Sequence, residues 1–123
     1  RQPMIYYPLS TLMLTEIREI LIISTSSDIG LIKNLLGDGS DFGLKLKYKI
    51  QDKPEGVAQG LILAEDFLSS SSSALILGDN FFYGNDLQNK LISACQRKVG
   101  ATIFGYRVND PERYGIIKFD NSG

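Results

Sequence analysis

Asp79 stands one glycine beyond a run of apolar residues, Ala74-Leu-Ile-Leu77, and is followed by Asn80 and the aromatic stretch Phe81-Phe-Tyr83. Four apolar residues ending on Gly-Asp-Asn read as a strand whose last turn presents a carboxylate. In open parallel sheets ligands bind beyond the carboxyl ends of the strands, so Asp79 lies where a site belongs. A lone carboxylate in such a place suits Mg²⁺, which takes one or two acids together with phosphate oxygens and water. Gly78 lets a ligand approach the backbone, and Asn80 can meet a hydroxyl as donor and acceptor. The same three residues also make an ordinary turn, so spacing alone leaves both readings open.

Two other groups have site-like chemistry. Gln51, at the end of an alternating run, precedes Pro54-Glu-Gly56. A glutamine amide donates and accepts at once, as the edge of a pyrimidine base requires, and a nearby glycine leaves room for a flat ring. Tyr106 and Arg113-Tyr-Gly115 form the third group, with hydroxyl and backbone groups suited to a sugar-like ligand. Each has a plain alternative: a turn leading into a helix for the first, a charged surface turn for the second.

The elements that must position these residues alternate along the chain. A buried helix is expected from about Met4 or Pro8 to about Glu16, then a strand over Glu19–Thr25 that is apolar throughout, as in a parallel strand covered on both faces. A helix from about Asp28 to Leu36 is capped by Gly37. Leu44–Ile50 alternates strictly, with Lys45, Lys47 and Lys49 on one solvated face, which marks a strand near a sheet edge rather than a nucleic-acid surface. A helix over Val57–Leu68, a serine connector at 69–73, the strand Ala74–Leu77 and a helix from about Asp86 to Lys98 follow. Strands are then expected over Ala101–Val108 and Ile116–Asp120. This order gives an α/β fold with a Rossmann-like, mostly parallel sheet in one domain. A buried first helix with no strand before it, and an end inside an apparent hairpin, mark that domain as incomplete at both ends.

Composition narrows the chemistry further. The 123 residues contain no histidine and a single cysteine, Cys95, which excludes His-based triads, His-ligated zinc and an internal disulfide. Catalysis is left to carboxylates, Lys, Arg, Tyr, backbone amides or a hard metal ion. With 13 basic and 14 acidic residues there is no basic field for nucleic acid or an anionic membrane. No apolar run approaches the roughly 20 residues of a membrane span. The lone thiol and the opening residues, which show no signal segment, lead us to expect a cytoplasmic protein.

Pro3-Met-Ile-Tyr-Tyr-Pro-Leu-Ser-Thr-Leu-Met13, Leu36-Gly-Asp-Gly-Ser-Asp-Phe-Gly43, Pro54-Glu-Gly-Val-Ala-Gln59, Leu77-Gly-Asp-Asn-Phe-Phe-Tyr-Gly84 and Ala101-Thr-Ile-Phe-Gly-Tyr106 with Asp110-Pro-Glu-Arg-Tyr-Gly115 occur in order. Together they resemble the glucose-1-phosphate thymidylyltransferases (dTDP-glucose pyrophosphorylases) over essentially the whole chain. The resemblance implies the sheet of the nucleotide-diphospho-sugar transferases and Mg²⁺-dependent joining of dTTP to glucose 1-phosphate. It implies Asp79 as metal ligand and catalytic residue, and nucleotide contacts at Gln51, Pro54, Gly56, Leu77, Asp79 and Asn80. Sugar contacts are implied at Tyr114 and Gly115, and a homo-oligomer, commonly a tetramer, in a dTDP-sugar pathway such as that of rhamnose.

The family's Gly-rich, arginine-bearing loop and following lysine, its Glu-Lys-Pro segment and its second metal-binding aspartate are not among these residues. Arg1-Gln2 stands where the family has Asp-Lys. We therefore expect a partial catalytic domain over residues 1–123 with little turnover alone. Two alternatives stay open: a sister nucleotidylyltransferase using another nucleotide, and a degenerate domain kept for binding or assembly.

Overall fold

The computed structural model describes residues 3–122; the Arg1-Gln2 junction and the last residue of the Asn121-Ser-Gly123 turn lie outside them. The helix α1 (Tyr6–Met13) is set by a dense apolar run and buries Pro8, Leu9 and Thr11. Pro8 sits in its first turn, where a missing N–H has no intrahelical acceptor to lose. The hydroxyls of Ser10 and Thr11 donate to the carbonyls of Tyr6 and Tyr7 at 2.6 and 3.0 Å.

β1 (Glu19–Ser24), α2 (Ser26–Leu36) and β2 (Lys45–Ile50) form one β-α-β unit. The strands are parallel, with Glu19 opposite Lys45 and Ser24 opposite Ile50. α1 and α2 cover one face of this pair, where Leu9, Ile20, Ile22, Leu36, Leu44 and Leu46 pack into the core with Ile5, Leu12, Ile32 and Tyr48 against them. α2 begins at Ser26, two residues earlier than the sequence suggested, and ends on Gly37, whose N–H donates to Lys33 O at 2.8 Å. Lys45, Lys47 and Lys49 lie exposed on β2, as the alternation required.

The turn between α2 and β2 is built on Gly39, which is buried with φ +85°. Leu44 N–H donates to Gly39 O at 2.9 Å and Leu46 N–H to Asp38 O at 2.8 Å. A Cβ at Gly39 would stand 2.6 Å from Leu46 Cγ, so only glycine fits both the backbone angle and the space.

Beyond β2 the chain forms α3 (Val57–Leu63), α4 (Glu65–Leu68) and α5 (Leu87–Gln96). The expected single helix over Val57–Leu68 is thus broken at Ala64, although Leu68 N–H still donates to Ala64 O at 2.9 Å. The larger correction concerns the sheet. Ala74–Leu77, Ala101–Val108 and Ile116–Asp120 are not strands: they belong to no ladder, and among the described residues the sheet has only β1 and β2. Their β-forming side chains lack a neighbouring strand to bond, and propensity without a partner makes no strand. Ile117 does reach Gly105, where a Cβ would stand 2.7 Å from Ile117 Cδ1, so two of these segments lie together without a ladder. No buried residue is found from 65 to 122, so the core belongs to the first half of the chain. Among the described residues no helix is long and apolar enough to cross a membrane.

Candidate functional site

A cleft of about 540 Å³ runs along β1, from Ile17 to Ile23, and reaches Gln51 just past the end of β2. β1 lines it from Glu19 to Ile23, together with Pro8, Leu9 and Leu12 of α1, residues of α3, Phe67 and the segment Ser71–Gly78. Four of the positions singled out in the sequence meet here: Gln51, Gly56, Leu77 and Gly78 all line it. Gln51 is half-buried, and its backbone N–H donates to Ser24 O at 2.9 Å, closing the parallel ladder. Gly56 has φ +93° and leads directly into α3, a conformation that a side chain would strain.

The turn after Ala74–Leu77 is closed by Asn80 N–H donating to Leu77 O at 3.1 Å. Gly78 and Asp79 are its two corner residues. Asp79 is exposed, and its carboxylate has no hydrogen bond or ion pair among the described residues. A carboxylate free of protein partners at the end of an extended segment fits a Mg²⁺ ligand of the kind that relies on phosphate and water for its other positions. No cluster of three acidic or sulfur-bearing side chains exists among the described residues, so an all-protein metal cage is not what this surface offers. Asn80 is half-buried beside Asp79. Phe81 packs edge-on against Tyr7 of α1 with ring centroids 5.1 Å apart, which moors the turn to the first half of the chain.

Pro54, Tyr114 and Gly115 are not brought to the cleft wall. Pro54 is exposed in the loop between Gln51 and Gly56. Tyr114 stacks edge-on with Tyr106 at 6.4 Å, and its N–H donates to Pro111 O at 3.0 Å. Gly115 is exposed beside it. Arg113 pairs with Asp110 at 3.5 Å, an exposed contact that occupies its guanidinium locally.

One residue that orders the site carried no flag in the sequence. The Asp52 carboxylate accepts from both the backbone N–H and the hydroxyl of Ser26, each at 2.7 Å. These bonds stabilise the ionised form, the backbone donor most, and hold the Asp52 carboxyl below the usual carboxylate range. They fasten the Gln51–Gly56 loop to the start of α2. The only sequence signal was the polar run Thr25-Ser-Ser-Asp28, which advertises a helix start but not a cap from 26 residues away.

The chain matches the nucleotidyl transferase family model over residues 1–123. It is 51% identical over 121 residues to the glucose-1-phosphate thymidylyltransferase of Neisseria gonorrhoeae, covering 98% of this chain and 42% of that protein. It is 45% identical over 122 residues to the enzyme of that name from Mycolicibacterium smegmatis, with 99% and 42% covered. A crystal structure from Bacillus anthracis, of a proposed glucose-1-phosphate thymidylyltransferase in complex with a sucrose, superposes with a TM-score of 0.87 at 37% identity. That match covers 98% of this chain and 49% of the other. The chain therefore spans less than half the length of these relatives.

Proposed function

The chain belongs to the nucleotidyl transferase family, and from that premise we propose that it is part of a glucose-1-phosphate thymidylyltransferase. The reaction joins dTTP and glucose 1-phosphate into dTDP-glucose and pyrophosphate. The observation that carries this reading is the meeting of Gln51, Gly56, Leu77 and Gly78 on one cleft, with the free carboxylate of Asp79 one residue beyond it. It is supported by relatives of that name at 45% to 51% identity.

In this reading the glucose 1-phosphate oxygen attacks the α-phosphorus of dTTP in line. The bond from that phosphorus to the bridging oxygen breaks, and its electron pair leaves with pyrophosphate. No covalent enzyme intermediate is needed, so the protein acts by positioning and by charge neutralisation. The half-buried Gln51 amide pairs with the thymine edge, and the open backbone at Gly56 admits the ring. Leu77 gives the nucleoside an apolar wall, and Asn80 meets its sugar. Asp79 holds Mg²⁺, which when bound neutralises charge on the phosphates. Tyr114 and Gly115 contact the glucose moiety, which requires the 106–115 segment to approach the cleft in the full protein. There the enzyme is a cytoplasmic homo-oligomer.

Competition tests the choice of nucleotide. The 123-residue chain should bind dTTP in preference to UTP and CTP. Equal or better binding of UTP or CTP would assign it to a sister enzyme using another nucleotide.

A further inference from the structure

Two charged side chains hold the segment that runs from Gln51 through α3, one near each end. The Asp52 carboxylate accepts twice from Ser26 of α2, at 2.7 Å each. At the other end the Lys49 ammonium of β2 donates to the carbonyl of Leu63, the last residue of α3, at 2.6 Å. A cation suits the negative end of a helix. Among the described residues no other hydrogen bond or ion pair ties residues 52–63 to the strands or to α2.

Gln51 itself is fixed separately, by its N–H bond to Ser24 O at 2.9 Å. What the two contacts set is therefore the position of α3 relative to Gln51. Val57, Gly60, Leu61 and Ala64, at helical spacing, form the face of α3 that lines the cleft. Gly60 lets that face approach β1 closely, since a Cβ there would stand 3.8 Å from Ile23 Cδ1. Val57 and Leu61 remain 51% and 45% exposed, so the face keeps apolar surface for a ligand.

We propose that Asp52 and Lys49 set the preference of this site for thymine over uracil. Each is a positioning residue: it touches no base, and it holds the apolar face of α3 at contact distance from the 5-methyl group of thymine. This rests on the function proposed above. Thymine and uracil present the same hydrogen-bonding edge to the Gln51 amide, so that amide cannot tell them apart. The methyl group is read only by apolar contact, and one such group in an apolar pocket is worth about 10- to 200-fold. A gap of ~0.5–1 Å already forfeits a quarter to a half of each contact. A small shift of α3 therefore costs thymine its advantage, while uracil has no methyl contact to lose.

Calorimetric titration of the 123-residue chain with dTTP and with dUTP, both with Mg²⁺, tests it, because these nucleotides differ only in the methyl group. The unaltered chain should prefer dTTP by about tenfold or more. Asp52→Ala and Lys49→Met should each cut that preference by about threefold or more through weaker dTTP binding, with dUTP affinity held within about twofold. Ser26→Ala, which keeps the backbone bond and loses the hydroxyl, disturbs the fold least and should act in the same direction. Lys49→Arg, which keeps a donor, should preserve the preference. A preference unchanged in Asp52→Ala, Lys49→Met and Ser26→Ala overturns the proposal. So does equal weakening of both nucleotides, or a loss that Lys49→Arg shares, since either would mean that the contacts serve the fold alone. Equal binding of dTTP and dUTP by the unaltered chain overturns it too, and leaves the nucleotide site standing. Binding of neither by a folded chain removes the proposed function, and this proposal with it.

Discussion

Asp52 and Ser26 are joined twice, through the backbone N–H and the hydroxyl of Ser26, with both contacts at 2.7 Å to one carboxylate oxygen. This pair ties the loop that carries Gln51 and Gly56 to the first turn of the helix between the two strands. It couples the geometry of the site to the most firmly packed part of the chain.

That coupling has a pH signature. The carboxyls of Asp52 and Asp38 are both held below the ordinary range, Asp52 by bonds from Ser26 and Asp38 by the Ser40 backbone N–H at 3.0 Å and the Ser40 side chain. A carboxyl that is a stronger acid when folded stabilises the fold fully above its unfolded value of about 3.9 and loses that contribution as pH falls through the lower folded value. The urea midpoint should therefore be flat from neutrality down to about pH 5 and fall below about pH 4. In Asp52→Asn the fall should be shallower. An unchanged profile in that variant would show that the Ser26 contact does not persist in solution.

Leu36 and Phe119 test where the core lies. Leu36 is 4% exposed and belongs to the packed cluster, whereas Phe119 is 71% exposed. Leu36→Ala should cost about 2–5 kcal/mol, and Phe119→Ala should stay within about 0.5 kcal/mol. Equilibrium urea unfolding of both variants decides it; similar losses would mean that the second half of the chain packs more tightly than described.

Much of this arrangement was legible in the sequence because it is local. The apolar run of β1, the alternation in β2 and the Gly37 cap are each set by neighbours a few residues away. Gln51, Gly56 and Leu77 were legible as a group only through the family resemblance, which implies nucleotide contacts at all three; the structure brings them to one cleft although 74–77 is not a strand. The segments at 74–77, 101–108 and 116–120 misled for the opposite reason. Their composition is that of strands, but a strand exists only when its edge is bonded, and composition carries no record of whether the partner is present. Asp52 escaped notice because its acceptor role depends on folding across 26 residues.

Gly39 offers a sharp check on the turn before β2. Gly39→Ala adds a Cβ 2.6 Å from Leu46 Cγ at a backbone angle of φ +85°. Strain and overpacking together should destabilise the chain by about 1–3 kcal/mol, read as a lowered urea midpoint. A neutral substitution would show that Leu46 and the turn yield without cost.

In the proposed function the Leu77–Asn80 turn holds a metal-bound nucleotide. Calorimetric titration of the 123-residue chain with dTTP, with and without Mg²⁺ and alongside Asp79→Ala, tests it most directly. Binding should be saturable, require Mg²⁺ and weaken at least tenfold in Asp79→Ala, with the fold unchanged by circular dichroism. Binding that ignores both Mg²⁺ and the substitution, or no binding by a folded chain, would contradict it.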